Sequence, residues 1–86
     1  MMNFDQLVGE QLKTMDKLLY LQSEIERCQD IKKQLVALQD ETQMQSVQIE
    51  IENMKVELNK IQRVFEQQTE EVIRSYEEGQ KFETVS

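Results

Sequence analysis

The stretch LQDETQMQSV, residues 38–47, lies at the midpoint of an 86-residue chain and decides whether the fold is a hairpin or one long helix. It contains neither Pro nor Gly. Before it, apolar side chains recur every three or four residues, as in one stripe along a helix. The members of this first stripe are Phe4, Val8, Leu12, Met15, Leu18, Leu21, Ile25, Cys28, Ile31, Leu35 and Leu38.

A second apolar stripe follows, but in a different phase. Its steps alternate strictly between three and four residues, which is the repeat of a coiled-coil seam. If the first stripe continued in phase past Leu38, its next five positions would include only two apolar residues, Ile49 and Val56. The phase break therefore predicts a turn at QDETQ, residues 39–43. The second stripe comprises Met44, Val47, Ile51, Met54, Leu58, Ile61 and Phe65.

Folding the chain about residue 41 brings the two stripes together. We therefore predict an all-α fold, a single domain over residues 1–86 in which two long antiparallel helices form a coiled-coil helical hairpin. The predicted segments are a helix over about 4–39, a turn over about 40–43, a helix over about 43–78 and a flexible tail over 80–86. The predicted seam pairs are Leu38 with Met44, Leu35 with Val47, Ile31 with Ile51, Cys28 with Met54, Ile25 with Leu58, Leu21 with Ile61 and Leu18 with Phe65.

One alternative makes the same pairs. Two unbroken helices from different chains, antiparallel and crossing at residue 41, would form these contacts as a dimer, and the turn lacks the Gly or Pro that would exclude it. The phase break favours the hairpin, because it weakens the seam of a straight helix.

Local signals for helix ends agree with the hairpin. Asn3 and Gln6 can form a capping box at the start of the first helix. Gly79 is expected to end the second helix, since glycine tolerates the left-handed conformation of a C-terminal cap. The cap at the start of the second helix is open between two pairs, Asp40 with Gln43 and Thr42 with Gln45.

The same register predicts ion pairs across the helices. Glu50 is placed near Lys32 or Lys33, and Glu57 near Arg27. At exposed positions each pair contributes at most about 1 kcal/mol.

A hairpin of two helices has a thin core, so further apolar burial is expected. Ile49 and Val56 lie two turns apart on the back of the second helix, among Glu52, Asn53 and Lys60. We define Ile49 and Val56 as the outer patch. It is the candidate interaction site, either for self-association into a four-helix assembly or for a partner's helix.

Few side chains could support catalysis or hold a metal. The chain has no histidine, the usual general base and commonest metal ligand. The single thiol, Cys28, occupies a seam position and is interpreted as a small core residue. The acidic pairs Glu70–Glu71 and Glu77–Glu78 each diverge by about 100° around the helix, so neither converges on one ion. We predict no enzyme activity, no metal or cofactor, and no small-molecule substrate.

The charge of the chain limits its partners. Seventeen acidic and ten basic residues give a net charge of −7, and ten acidic but only five basic residues lie from Glu41 onward. Nucleic acid and anionic membranes are disfavoured, because both are bound through clustered Lys and Arg. With no recognisable signal peptide or membrane span, and one cysteine, a cytoplasmic location is expected.

Two segments, FDQLVGEQLKTMDKLLYLQSEIERCQDI at 4–31 and FEQQTEEVIRSYEE at 65–78, resemble the YgaB-like family of short bacterial proteins. The resemblance implies a cytoplasmic protein of a Bacillus-type bacterium and supplies no functional residues. The chain is also similar in size to the helical-hairpin aspartyl-phosphate phosphatases that act on sporulation response regulators. Those proteins carry a Ser followed four residues later by Asp, whereas here Ser46 is followed by Glu50 and Ser75 by Gly79, so that activity is not predicted.

These patterns predict a non-enzymatic coiled-coil interaction or scaffold protein that acts by helix–helix packing. The alternative is a small signalling modulator that binds a kinase or a response regulator. The predicted partner is a protein or a second copy of the chain, as in a homodimer.

Overall fold

The structure, a computed structural model, describes residues 3–85, with the side chains of residues 3–79. Two helices, α1 (Phe4–Ala37) and α2 (Glu41–Val85), pack against each other along a particle of 69 × 16 × 15 Å. Side chains near the end of α1 meet the start of α2, and those near the start of α1 meet the last part of α2, so the helices are antiparallel. The predicted all-α hairpin is confirmed.

The start of α1 has the predicted capping box. The Gln6 amide donates to the Asn3 side-chain oxygen at 2.9 Å, and the Asn3 amide donates to Gln6 Oε1 at 3.0 Å. Two amides that have no partner within the helix are thus satisfied, which fixes where α1 begins.

A short turn at residues 38–40 joins the helices, two residues earlier than the predicted turn at about 40–43. Gln39 adopts a left-handed backbone with φ of 58°. Its amide donates to the Val36 carbonyl at 3.1 Å, and the Asp40 amide donates to the Leu35 carbonyl at 3.1 Å. These two bonds form a Schellman motif, which ends α1 without glycine.

Leu38 is the C-terminal cap of α1 and is 75% exposed. The predicted pair between Leu38 and Met44 is therefore wrong, because the chain has already left the helix at this point. Asp40 caps α2: its Oδ1 accepts a hydrogen bond of 3.1 Å from the Gln43 amide, so the first of the two candidate pairs is used.

At its other end, α2 continues through Gly79 to Val85 instead of ending at Gly79. Glycine inside a helix costs only about 1 kcal/mol relative to alanine, and the residues on either side are mostly good helix formers. Residues 80–85, predicted as a flexible tail, belong to this helix, while Ser86 lies outside the described residues.

The face of α2 that packs on α1 coincides with the predicted stripe. Every stripe residue from Met44 to Phe65 is buried or half-buried, and the same repeat continues through Gln68, Val72 and Ser75. The steps of three and four therefore extend for ten positions along α2.

The packed face of α1 follows the same repeat but departs from the stripe predicted for it. Leu12, Met15 and Ile31 are exposed, whereas Lys32 is half-buried at a seam position. A helix rotates by a fixed angle per residue, so its geometry determines which positions face α2. A polar residue at such a position is buried, while an apolar residue next to it is exposed. The buried or half-buried seam of α1 is Leu7, Gln11, Thr14, Leu18, Leu21, Ile25, Cys28, Lys32 and Leu35.

The best-buried apolar cluster lies between the middle of α1 and the first half of α2. It consists of Ile25, Cys28 and Ile51, with Val47, Met54 and Leu58 packed against it. Ile51 packs with Ile25 and Cys28 in this cluster, whereas its predicted partner Ile31 is 37% exposed. Three predicted pairs lie on the walls of shared grooves between the helices, namely Leu21 with Ile61, Ile25 with Leu58 and Cys28 with Met54.

The predicted ion pairs across the helices are absent among the described side chains. Lys32 donates to Gln48 Oε1 at 2.7 Å instead of pairing with Glu50. Arg27 pairs with Glu24 on its own helix at 2.9 Å instead of reaching Glu57. The seam, and not surface charge, therefore carries the association of α1 with α2.

Replacing Gln39 by glycine tests the turn. A left-handed backbone costs a residue with a Cβ about 1 kcal/mol or more, so Gln39→Gly should raise the free energy of unfolding by roughly 0.5–1 kcal/mol. Urea unfolding followed by circular dichroism measures the change. The matched control is Gln45→Gly in the exposed interior of α2, which should lower the same quantity by about 1 kcal/mol. A fall in stability for Gln39→Gly as large as the control's would contradict this account of the turn.

Candidate interaction surfaces

The outer patch lies on the side of α2 that faces away from α1. Ile51 and Met54 point into the seam, and the intervening rotation places Ile49 and Val56 outside, where they are 58% and 54% exposed. Seven residues span two turns, so the two side chains are about 10 Å apart along the helix. The patch is therefore available to a helix that runs along the back of α2.

A hydrogen-bonded border lies beside the outer patch. Lys32 donates to Gln48 Oε1, and Gln48 Nε2 donates to Glu52 Oε1 at 3.2 Å. These hydrogen bonds connect Gln48 and Glu52, at the polar edge of the patch, to Lys32 of α1. The position of this edge therefore depends on the packing of both helices and not on α2 alone.

A second apolar surface lies on α1, and the sequence analysis does not identify it, because three of its four residues, Val8, Leu12 and Met15, belong to the predicted seam. Leu12, Met15 and Leu19 are 56%, 41% and 55% exposed, and Val8, one turn before Leu12, is half-buried. We call these four residues the α1 flank. Steps of four, three and four place them on one line of the helix beside the seam. The sequence does contain a signal for them. If the seven-residue repeat is extended toward the N-terminus from Ile25, the seam passes through Thr14 and Gln11, and the flank residues fall beside it.

At the open end of the hairpin, where the N-terminus of α1 meets the last third of α2, the rings of Phe4 and Tyr76 lie 6.1 Å apart at 47°. This separation is within the range of favourable aromatic pairs. The aromatic pair joins the first turn of α1 to α2, and the α1 flank follows it along α1.

Beside the α1 flank, the seam is polar. Gln11 Nε2 donates to Thr69 Oγ1 across the helices. Thr14, which is buried, donates to the Glu10 carbonyl at 3.1 Å, and Thr69 donates to the Phe65 carbonyl at 2.9 Å. These bonds satisfy the hydroxyl donors locally, and the Gln11–Thr69 bond fixes the register of the two helices.

Gln68 belongs to the same polar section, but its Oε1 is buried without a hydrogen-bond partner. An unsatisfied buried polar atom costs about 1–3 kcal/mol. The open end of the hairpin is therefore held less firmly than the apolar cluster around Ile51.

Cys28 is a free thiol buried in the seam. It lies on the wall of a groove of about 400 Å³, together with Arg27 and Glu24. The hydrogen bond and charge of Glu24 raise the pKa of Arg27 above its usual value, so the guanidinium remains charged. The thiol contributes to packing with Ile25 and Ile51.

The remaining acidic side chains are dispersed. Glu70, Glu71, Glu77 and Glu78 are all exposed, and no group of three His, Cys, Asp or Glu side chains among the described residues is placed to share a metal ion. Over the same part of the chain, neither helix has a segment that is both long and apolar enough to cross a membrane.

Comparison with known proteins agrees with the resemblance described above. The family model of the YgaB-like proteins matches residues 3–79. The chain is 47% identical over 81 residues to a Bacillus subtilis (strain 168) protein named "Uncharacterized protein YgaB", and the match covers 94% of this chain and 71% of that protein. No solved structure gives a significant match.

Replacing Gln68 by methionine tests the polar section. Methionine has a similar length and helix propensity but no unsatisfied oxygen, so Gln68→Met should raise the free energy of unfolding by about 1 kcal/mol or more. The neighbouring Gln67 is exposed, and Gln67→Met should change stability by less than about 0.5 kcal/mol. Chemical unfolding of both variants gives the comparison. If Gln68→Met and the unaltered chain had the same free energy of unfolding, water would have to reach Gln68 in the folded protein.

The burial of Cys28 predicts slow thiol chemistry. In the folded protein, reaction with Ellman's reagent should be at least about 100-fold slower than in urea, because it requires the hairpin to open. A Ser23→Cys variant made in a Cys28→Ala background provides the control, since Ser23 is exposed and its thiol should react rapidly while folded. Rapid labelling of native Cys28 would show that this part of the seam is open to solvent.

Proposed function

This chain belongs to the YgaB-like family, and we propose that it is a non-enzymatic interaction protein that acts by helix–helix packing. The observation that carries the proposal is the distribution of apolar side chains. Of the described hydrophobic residues, four are buried, and thirteen large ones are exposed. A hairpin with so thin a core gains stability when another helix covers its outer faces.

The outer patch supports recognition of an amphipathic helix. Two apolar side chains separated by seven residues occupy one line on α2, and a partner helix can contact such a line in successive turns. Glu52 and Asn53 lie between Ile49 and Val56 and are exposed, so the surface offers polar contacts beside its apolar ones.

Charge supports a protein partner over other ligands. Residues 41–85 carry ten acidic and five basic side chains, which repel nucleic acid and anionic lipid. The same excess favours a partner helix with basic residues at its edges, because opposite charges bring the two surfaces together faster.

The absence of histidine from the sequence and the burial of Cys28 support a function without catalysis. The single thiol is also suited to a reducing compartment, which supports a cytoplasmic location as part of this proposal.

Charging the outer patch tests the proposal. Ile49→Lys combined with Val56→Lys should reduce the recovery of a specific partner from the native host by at least about tenfold, because lysine cannot be buried in an apolar interface without a large penalty. The measurement is quantitative mass spectrometry of proteins retained by the tagged chain, followed by titration of the purified partner.

The matched control is Gln22→Lys combined with Gln29→Lys, which adds the same charge at two exposed polar positions seven residues apart on α1, away from the patch. Control and unaltered chain should retain the partner equally, and all three proteins should have the same helical content. Retention of every partner by the Ile49, Val56 variant would contradict the proposal. A captured kinase or response regulator would favour the signalling modulator over a scaffold.

A further inference from the structure

The apolar sector of α1 is wider than the contact with α2 requires. Over residues 4–21, the apolar side chains of Leu7, Leu18 and Leu21 lie in the seam, and the line of the α1 flank lies next to it. The opposite side carries Glu10, Lys13, Asp16 and Lys17, all exposed. A narrow seam suffices for a two-stranded coiled coil, whereas a sector widened on one side is typical of helices that contact two neighbours in a bundle.

We propose that the α1 flank binds the α1 flank of a second copy of this chain, with the two α1 helices antiparallel and a two-fold axis between Leu12 and Met15. The two hairpins then form a four-helix assembly with α1 helices at its centre. This inference goes beyond the proposed function, because it concerns another surface and another occupant.

The spacing of the flank supports a second copy. Its steps of four, three and four residues read the same in both directions. An antiparallel copy therefore presents its Met15 at the level of Leu12 and its Leu19 at the level of Val8. Such self-complementarity is what an interface with two-fold symmetry requires.

Charge also favours self-association through α1. Residues 4–37 carry six acidic and five basic side chains, whereas residues 41–85 carry ten and five. Two copies approaching through their α1 helices meet little net repulsion, whereas two copies approaching through α2 each bring an excess of five negative charges. The outer patch on α2 is therefore the less suitable surface for a second copy.

Sedimentation equilibrium tests the inference. The unaltered chain should have twice its mass of 10.3 kDa at high micromolar concentration. Leu12→Lys combined with Met15→Lys should raise the dissociation constant at least about 100-fold, because both lysines would be buried at the two-fold axis. Both positions are exposed in the hairpin and lysine is a good helix former, so helical content should be retained.

Two results would overturn the inference. One is a monomeric unaltered chain at high micromolar concentration. The other is a dimer that survives Leu12→Lys with Met15→Lys but dissociates on Ile49→Lys with Val56→Lys, which would assign self-association to the outer patch. Since partner recovery through the outer patch is measured separately, loss of one proposal leaves the other intact.

Discussion

Two helices in continuous contact can bury only those side chains that return to the shared line every three and four residues. In this chain that constraint is stronger than the hydrophobicity of any single residue. It holds Gln11, Thr14 and Lys32 in the seam and leaves Leu12, Met15 and Ile31 outside. The cluster of Ile25, Cys28 and Ile51 sets the phase, and the exposed apolar surfaces follow from extending that phase in both directions.

The two ends of the hairpin are consequently unequal. Near the turn, the helices are joined by the Schellman motif and the Asp40 cap, and the apolar cluster begins within two turns of it. Toward the open end, the seam contains Gln11, Thr14, Gln68 and Thr69, and Gln68 Oε1 has no hydrogen-bond partner. Fewer buried apolar contacts mean that local opening costs less free energy there. The α1 flank lies along this weaker half, where additional packing contributes most.

The sequence predicted the hairpin, the capping box and the seam of α2 from Met44 to Phe65. An uninterrupted apolar repeat and a local hydrogen-bonding motif can both be recognised without knowledge of the tertiary structure. The sequence did not predict the seam of the first half of α1. There, the apolar residues Val8, Leu12, Met15 and Leu19 lie on a line beside the seam. Only the packing against α2 shows which of the two lines is buried. The turn was placed two residues late, since Gln39 carries a left-handed conformation usually assigned to glycine. Gly79 was given too much weight as a stop signal, although one glycine costs little in a long helix.

The positions of the two surfaces determine how they can act together. The outer patch lies on α2 and the α1 flank lies on α1, so pairing through α1 leaves the back of each α2 exposed. A dimer of this kind would carry two identical outer patches on opposite outer helices. A partner with two suitable helices, or one that is itself dimeric, would then gain affinity from effective concentration without any new contact. Separation of the two surfaces on different helices thus allows self-association and partner binding to reinforce each other, whereas one shared surface would force them to compete.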